Sequence, residues 1–456
     1  MSKPSRTTFR ERLTDFTNRL REEIIAGKRE PGQYLPSEAA LSEQFQLSKS
    51  SIRKGLDTLV EEGLIEKVAR IGNRIVQKVE EPAVILNLGY YSSLEKESMI
   101  LQLVERFHAK YPHIRVKLIP LPYDEEHQTV KVFLQQGLID VVTLNYSDFS
   151  SLNETGEQFF EPLTANPGIY PHLTETFTAS GELFVQPFIF SPVVLCYNKD
   201  HFAEAGCLEP DSSWSWEQLV ETASKLTSPS KERYGFCFHA LSENRWPVFL
   251  LQSGIQLNRD KAVELHSGDK IKIMESVNVF RSIISDKNVF PFYLSENDAD
   301  VENLFLNENV SMIMTSYFSL NYLSDAPFRY DISPLPRIHD PKTLLLIIGL
   351  AINKRSRCKH EARLLVEHMV SMDSQLAIRQ GTLSIPSLKP AAEWSGEEHG
   401  NRPSRYHMYR EIVPTYHLFT DIGLDSEGMA SFRHALKLYL AKMEEQKFYD
   451  RIDMIL

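Results

Sequence analysis

The first part of the chain shows a helical spacing of apolar side chains. Between residues 9 and 24 the apolar positions recur every three or four residues, which places them on one face of a helix. They are Phe9, Leu13, Phe16, Leu20 and Ile24. Gly27 follows them, and glycine commonly ends helices. The pattern predicts one amphipathic helix at the start of the chain.

Two shorter helices are predicted next, each opened by a serine that can cap its first turn. Ser37 precedes the first of them and Ser48 precedes the second, which Gly63 ends. Two short helices joined by a tight turn have the order and size of a helix-turn-helix. Lys49 and Arg53, four residues apart, share the outward face of the second helix, where a recognition helix meets base edges and phosphates.

A β-hairpin is predicted after these helices. The runs Leu64–Val68 and Arg74–Gln77 read as its strands, and they flank the sequence Arg70-Ile71-Gly72-Asn73. The hairpin therefore has a basic tip, as a wing beside a helix-turn-helix would have.

From Val84 onward the pattern changes to short apolar runs that alternate with amphipathic stretches. The predicted strands are Val84–Leu88, Ile114–Ile119 and Asp140–Leu144, with helical patterns between them. This alternation predicts a parallel, doubly wound α/β layout. Ligands of such sheets bind beyond the carboxyl ends of the strands, which here are Gly89-Tyr90-Tyr91 and Asn145-Tyr146.

Length and charge refine this division. The chain has 456 residues, enough for about three domain-sized units. Its net charge of −11 argues against a nucleic-acid partner when it is taken as a whole. Residues 1–80, however, hold 15 basic and 12 acidic side chains, a net of +3, and the remainder holds 35 and 49, a net of −14. The average therefore hides a mildly basic part that is compatible with DNA binding.

The sequence carries no signal for export, membrane insertion or metal binding. Its first residues contain no apolar run of signal-peptide length, and the longest apolar stretch, Leu344–Ile352, is too short to cross a bilayer. The four cysteines show no CxxC spacing, and we expect them to be free thiols. These features predict a cytoplasmic protein with no membrane contact, metal or cofactor.

No catalytic motif is present. The sequence lacks a GxSxG elbow, an HExxH pair, a Walker loop and a GxGxxG turn. The histidines nearest one another in a polar stretch, Tyr406-His407 with His417, are expected to be solvated or hydrogen-bonded rather than metal ligands. A sugar hydrolase that uses the acidic run Asp124-Glu125-Glu126 is an alternative, but such a run is more often a solvated loop. We therefore expect no enzymatic activity.

Residues 9–78 resemble the GntR-type winged helix-turn-helix. The likeness is carried by Pro31-Gly32, Leu35-Pro36-Ser37-Glu38, Leu47-Ser48, Ile52-Arg53, Glu62-Gly63-Leu64-Ile65 and Gly72. It implies a homodimer that binds a palindromic double-stranded DNA operator. The alternative is a helical protein–protein module. The predicted DNA-binding residues are Ser37, Glu38, Ser48, Lys49, Ser50, Ser51, Arg53, Lys54, Arg70, Gly72, Asn73 and Arg74.

Two positions depart from the usual GntR pattern. The family commonly has arginine where this chain has Ala39, and arginine where it has Lys49. Lysine binds phosphate but lacks the planar fork that recognises guanine with two hydrogen bonds. The base preference of the operator is therefore open.

Residues 84–390 resemble the family 1 extracellular solute-binding proteins, of the periplasmic-binding-protein type. The segments that carry this likeness are Phe107–Pro112, Gly137–Val142, Glu161–Leu163, Val194–Asp200, Trp214–Leu219, Tyr234–Phe236 and Gly349–Lys354. The resemblance implies two α/β lobes that close on a ligand. Lobe one is expected at about 83–192 plus 349–384, and lobe two at about 193–348 plus 385–456.

The resemblance also implies a ligand site at the facing edges of the lobes. Aromatic side chains there would stack on sugar rings, and Asn and Arg would supply hydrogen bonds. The predicted ligand residues are Tyr90, Tyr91, Asn145, Tyr146, Asn244, Arg245, Trp246, Tyr317 and Phe318. Ser316 and Phe318 stand where the family usually has Gly and Trp, which leaves the shape of the sugar platform open. Trp246 has core packing as its alternative role, and Arg245 has an ion pair.

Together these patterns predict a mixed fold, a winged helix-turn-helix in residues 1–80 followed by a bilobal α/β sensor in residues 81–456. The predicted function is a transcription regulator whose operator binding responds to a small solute, which we expect to be a carbohydrate. The alternative is the carbohydrate-binding component of an ABC transporter.

Overall fold

The computed structural model describes residues 6–25, 28–69, 71–76, 84–121, 128–255, 267–291, 297–396, 401–441 and 443–455. The chain divides into two compact units, Met1–Ala83 and Val84–Leu456. The predicted boundary at residue 80 lies outside the described residues.

The first unit has three helices and a hairpin among its described residues. They are α1 (Arg6–Ile25), α2 (Glu38–Phe45), α3 (Lys49–Glu61), β1 (Ile65–Val68) and β2 (Gly72–Ile75). Ser37 and Ser48 cap α2 and α3 as predicted, since each hydroxyl oxygen accepts a backbone N–H of the first turn. Gly63 follows α3 with a φ of +70°, a conformation that favours glycine.

The core of the first unit lies where α1 meets the helix-turn-helix. Phe16 and Leu20 of α1 are fully buried with Leu41 of α2 and Ile52 of α3. The ring of Phe16 meets Phe45 edge to face, with centroids 4.9 Å apart. The apolar stripes predicted from spacing therefore form one core, which leaves the opposite face of α3 exposed.

The turn of the wing is shorter than predicted. Strands β1 and β2 pair from Ile65↔Ile75 to Val68↔Gly72, so Gly72 and Asn73 belong to the ladder and not to the tip. Asn73 points inward and is 9% exposed, while its carbonyl accepts the N–H of Leu35. The prediction missed this because the pattern of apolar residues does not report where a strand begins within a polar stretch.

The second unit alternates strands and helices through most of its length. Its strands are β3 (Val84–Tyr91), β4 (Ile114–Leu121), β5 (Val141–Asn145), β6 (Thr178–Ala179), β7 (Glu182–Leu183), β8 (Val185–Asn198), β9 (Tyr234–Cys237), β10 (Val310–Ser316), β11 (Tyr330–Ser333), β12 (Thr343–Ile352), β13 (Ile385–Pro386) and β14 (Tyr416–His417). Its helices are α4 (Leu94–Glu97), α5 (Ile100–Lys110), α6 (Gln128–Gln135), α7 (Tyr146–Glu154), α8 (Pro171–Thr176), α9 (Lys199–Ala205), α10 (Trp216–Leu226), α11 (Pro247–Gln252), α12 (Ser267–Ser285), α13 (Asp298–Leu306), α14 (Lys359–Met369), α15 (Met372–Gly381), α16 (Lys389–Ala392), α17 (Ser426–Leu440) and α18 (Glu445–Ile455).

One long strand joins two halves of the sheet. The strand order is β4-β3-β5-β12-β8-β10-β9. Residues 185–192 of β8 pair with β12, whereas residues 193–198 pair with β10 and β11. All fourteen positions of β8 are buried, which explains why most of its residues are apolar. We call the half with β3, β4, β5 and β12 the first lobe, and the half with β9, β10 and β11 the second.

The directions of strand pairing show where the carboxyl ends of the strands lie in each lobe. In the first lobe β3 runs parallel to β4 and β5, so their carboxyl ends meet at one edge. In the second lobe β9 and β10 are parallel and their carboxyl ends also meet. Strand β3 is longer than the sequence predicted and runs on to Tyr91.

Candidate DNA interface and ligand site

The outward face of α3 carries exposed basic and hydroxyl side chains. Lys49, Ser50, Arg53 and Lys54 are all exposed. The guanidinium of Arg53 is not free, because its Nε donates to Oε2 of Glu38 over 2.7 Å. Neither Lys49 nor Lys54 has an ion pair among the described residues.

Three of the predicted serines, Ser37, Ser48 and Ser50, are exposed, whereas Ser51 is buried. The hydroxyl of Ser37 accepts the N–H of Ala40, and that of Ser48 accepts the N–H of Ser51, both over 3.2 Å. Ser51 is 6% exposed, and its hydroxyl lies 2.7 Å from that of Ser48. Ser51 thus takes part in the cap of α3.

Carboxylates also neutralise the basic residues of the wing. Arg74 is exposed and its Nε donates to Oε1 of Glu66 over 2.8 Å, while Lys67 is paired with Asp57. Gly72 is exposed beside Arg74, and Arg70 lies outside the described residues. Because these ion pairs are exposed, they hold the side chains only weakly, and a phosphate can replace the carboxylate.

The predicted ligand residues of the first lobe meet at the carboxyl ends of β3 and β5. The hydroxyl of Tyr91 donates to Asp148 and accepts the N–H of Asn145 over 3.1 Å. The side-chain oxygen of Asn145 caps α7 by accepting the N–H of Asp148 over 2.7 Å. Burial, and secondarily the charge of Glu243 in the second lobe, raise the pKa of Asp148 to about 7. Sequence reasoning missed Asp148, although it lies only three residues after Asn145.

Tyr90 faces away from this cluster. Adjacent residues of a strand point to opposite faces, and Tyr90 is buried at 4% exposure, where its hydroxyl donates to Oε1 of Glu95 over 2.6 Å. This hydrogen bond, together with burial, raises the pKa of Tyr90 to about 12. Of the two neighbouring tyrosines, only Tyr91 lies in the cluster at the strand ends.

The second lobe contributes the loop before α11. Asn244 is exposed, while Arg245 is 1% exposed and its Nε donates to the carbonyl of Met314 over 3.1 Å. Trp246 is 2% exposed and stacks on Phe432, with ring centroids 5.6 Å apart and planes at 7°. Arg245 thereby ties this loop to the carboxyl end of β10.

Tyr317 and Phe318 follow β10 and are also buried. The N–H of Tyr317 donates to the hydroxyl of Ser191 in β8 over 2.7 Å. The hydroxyl of Tyr317 donates to the carbonyl of Tyr406 over 2.8 Å. Tyr317 thus sits at the strand that joins the lobes, and Phe318 beside it is 6% exposed.

The family of bacterial extracellular solute-binding proteins matches residues 91–376. The chain belongs to this family. The family of bacterial regulatory proteins of the gntR type matches residues 15–75. The chain is therefore a GntR winged helix joined to a solute-binding fold, and we call its two parts the GntR unit and the solute-binding unit. Both families are binding and regulatory families, not enzyme families.

Similar proteins exist for each unit. A putative binding protein of Brucella abortus is 26% identical over 248 residues, which cover 50% of this chain and 57% of that protein. The mannosyl-D-glycerate transport/metabolism system repressor MngR of Escherichia coli is 34% identical over 63 residues, 14% of this chain and 26% of the repressor. The chain thus spans little more than half of the curated relatives that match its solute-binding unit.

Solved structures share the fold of the solute-binding unit. The substrate-binding protein Lmo0181 of Listeria monocytogenes, solved with cycloalternan, matches with a TM-score of 0.69 at 18% identity and covers 82% of this chain and 98% of that chain. This likeness shows a bilobal fold and agrees with the prediction from the sequence.

A segment that sequence reasoning did not assign to the site contacts predicted residues of both lobes. The hydroxyls of Tyr146 in the first lobe and Thr420 lie 2.9 Å apart. In the second lobe Trp246 stacks on Phe432, and Arg433 donates to Oε1 of Glu243 over 3.1 Å. The aromatic content of residues 416–432 is a sequence signal for these contacts, but it is also typical of core packing.

The histidines noted in the sequence have hydrogen-bonding partners. His417 Nδ1 lies 2.9 Å from Oδ2 of Asp421, and His407 Nε2 lies 3.4 Å from Nη2 of Arg379. Among the residues that the structure describes, no group of three or more His, Cys, Asp or Glu side chains is arranged to hold a metal ion. No helix in the described ranges has the length and apolar character needed to cross a membrane. The acidic run at residues 124–126 lies outside those ranges.

Proposed function

We propose that this protein is a DNA-binding transcription regulator whose operator binding responds to a carbohydrate held by the solute-binding unit. The observation that carries the proposal is the presence in one chain of a GntR unit and a solute-binding unit. A sensor of this kind acts where the DNA is, so the proposal places the protein in the cytoplasm.

The GntR unit supports the DNA-binding part of the proposal. Its recognition helix exposes Lys49 and Lys54 without ion pairs among the described residues, and Arg53 with a carboxylate partner that a phosphate can replace. We propose that two copies bind a palindromic operator, since paired winged helices match two half-sites about one DNA turn apart. Arg53 and Arg74 would then be released from Glu38 and Glu66 when DNA binds.

The solute-binding unit supports the sensing part. Tyr91, Asn145 and Asp148 are joined by hydrogen bonds at the strand ends of the first lobe, and we propose that they form the ligand site together with Asn244 of the second lobe. Aromatic faces and oriented hydrogen-bonding groups are what sugar rings require. We propose that the ligand changes how the lobes close, and that this change alters operator affinity. Because such coupling is reciprocal, operator DNA must change ligand affinity by the same factor.

Lys49→Ala tests the DNA-binding part. Loss of one phosphate contact should weaken binding to a DNA duplex and reduce the slope of log K against log salt by about 1. Fluorescence anisotropy at several salt concentrations measures both quantities. Lys225→Ala removes the same charge from an exposed position of α10 in the solute-binding unit, and it should leave the slope unchanged. Equal slopes for Lys49→Ala and the wild type would argue against the recognition helix as the DNA surface.

The transporter component is the second candidate, because the relatives of the solute-binding unit include a putative binding protein and substrate-binding proteins. It predicts carbohydrate binding with no salt-dependent DNA binding. The same anisotropy titration on the wild type separates the two functions, since a transport protein would show no duplex binding at low salt.

A further inference from the structure

A cavity of the first lobe lies among the helices α5, α14 and α15. Its volume is about 430 Å³. Small-molecule sites commonly have volumes of about 300–1,000 Å³, so the cavity can hold a small organic ligand. Arg106 and Lys110 of α5 line it, together with His368 near the end of α14 and with Asp373 and Gln380 of α15. The cavity shares no lining residue with the candidate ligand site at the strand ends.

The basic groups of this cavity are not held by carboxylates. Arg106 and Lys110 stand four residues apart on one face of α5, and both are exposed. Neither has an ion pair among the described residues; the ammonium group of Lys110 lies 5.4 Å from the ring centroid of Tyr111. Asp373 lines the same cavity and forms no ion pair with either base. Two cationic groups and one carboxylate therefore border one space, an excess of positive charge that favours an anion.

His368 forms the buried side of the cavity. It is 8% exposed, and its Nε2 lies 3.1 Å from the carbonyl oxygen of Leu103. Because a carbonyl oxygen only accepts, Nε2 carries the proton and Nδ1 is an acceptor in the neutral ring. Burial lowers the pKa of His368, and the charges of Lys110 and Arg106 lower it further. The ring is therefore neutral at pH 7 and can accept a hydrogen bond from a hydroxyl group.

The walls opposite the basic residues suit a carbon frame with hydroxyl groups. Leu376 and Ala377 add apolar surface, and the carboxylate of Asp373 and the amide of Gln380 can bind hydroxyl groups. A free phosphate ion would use only the basic side of the cavity. The complete set of groups matches a polyhydroxylated molecule with one anionic end.

We propose that this cavity is a second binding site, which takes a small phosphorylated polyol such as a sugar phosphate. Arg106 and Lys110 hold the phosphate group, and His368, Asp373 and Gln380 bind the hydroxyl groups. We call this cavity the anion site. It is independent of the proposed coupling between carbohydrate and operator. Phosphoryl transfer to a carbohydrate makes a molecule of this class, so a reaction of that kind would supply the ligand.

Calorimetric titration of the full chain with glucose 6-phosphate and fructose 6-phosphate tests the anion site. Arg106→Ala and Lys110→Ala each remove one charge-assisted contact with the phosphate group, and each should weaken binding by about tenfold. Both positions are exposed on a helix, where alanine is well tolerated, and thermal unfolding without ligand verifies that the variants fold. Lys225→Ala removes the same charge from an exposed position of α10 and should match the wild type.

The same titrations contain the results that would overturn the proposal. Asn244→Ala changes the candidate ligand site and should leave the affinity for both sugar phosphates unchanged. If Asn244→Ala weakens binding while Arg106→Ala and Lys110→Ala do not, the sugar phosphates bind at the strand ends and the anion site is wrong. Binding of neither sugar phosphate by the wild type also overturns it. Inorganic phosphate that binds as tightly as the sugar phosphates would overturn the assignment of a polyol.

Hydrogen exchange gives a second readout that does not depend on a variant. Backbone amides of residues 100–110 and 372–381, which form α5 and α15, should exchange more slowly in the wild type when glucose 6-phosphate is bound. Glucose lacks the phosphate group and should leave exchange in these helices unchanged. Unchanged exchange with bound glucose 6-phosphate, or equal protection by glucose, would contradict the anion site.

Discussion

Gly235 lies at a point where a helix and a strand of the second lobe touch through their backbones. It is in β9 and faces α10. A methyl group placed on Gly235 would lie 2.1 Å from the carbonyl oxygen of Ala223 and 2.4 Å from its carbonyl carbon. These are backbone atoms in the last turn of α10, so no side-chain rotation can relieve the overlap.

The cost of Gly235→Ala follows from this distance. Ordinary contact begins at 3.4 Å, so α10 must move away from β9 by about 1.3 Å, the difference between 3.4 and 2.1 Å. Overpacking of this kind costs about 3 kcal/mol. The movement also reaches the candidate site, because Trp216 of α10 packs on Phe249 of α11 with ring centroids 4.7 Å apart, and α11 directly follows Trp246.

Calorimetric unfolding measures the effect. We expect Gly235→Ala to lower the melting temperature of the solute-binding unit, Val84–Leu456, by about 4 °C, because unfolding of a unit of this size carries an entropy of about 0.8 kcal/mol/K. Gly268→Ala is the matched control, because Gly268 lies in α12 and, apart from its neighbours and the backbone of its own helix, no heavy atom of the described residues lies within 4 Å of the added methyl. It should leave the melting temperature unchanged or raise it by about 1 °C, because alanine is favoured over glycine in a helix by up to about 1 kcal/mol. If Gly235→Ala and Gly268→Ala have the same melting temperature, the backbone contact between Gly235 and Ala223 does not limit the packing of α10 on β9.

Two further predictions concern Asp148 and the cap of α3. The pKa of Asp148 is about 7 when folded and about 3.9 when unfolded, so this group makes the protein less stable as pH rises from about 4 through about 7. Asp148→Asn should remove that part of the pH dependence and gain up to about 4 kcal/mol at pH 8 in denaturant titrations; an unchanged pH profile would contradict the raised pKa. Ser48→Ala should destabilise the GntR unit by about 1 kcal/mol in thermal unfolding, whereas Ser50→Ala, at an exposed position without a capping bond, should not; equal losses would exclude the cap as the cause.

Local sequence signals predicted most of the GntR unit. Ser37, Ser48 and Gly63 act within three or four residues of their own positions, so capping chemistry alone placed the ends of α2 and α3. The wing turn was predicted too long, because the strand pairing of Gly72 with Val68 depends on a partner strand and not on local composition.

The candidate ligand site was only partly accessible to such reasoning. The alternation of apolar runs predicts where the strands end. Tyr91 and Asn145 are predicted as site residues because they stand at those ends. The stack of Trp246 on Phe432 joins residues far apart in the sequence; the spacing of Phe432, Leu436 and Tyr439 predicts a buried helical face but not the element on which that face packs. For the same reason burial of Arg245 could not be predicted, because its partner is a backbone carbonyl of another strand.

Carbohydrate binding and DNA binding are proposed to be coupled within one chain. This coupling is measured by the dissociation constant of the carbohydrate that stabilises the protein most, determined with and without a saturating duplex that the protein itself has selected from a random library. We expect the duplex to change this constant by about fivefold or more, and the carbohydrate to change the duplex affinity by the same factor. Identical constants in the two titrations would contradict the proposed coupling.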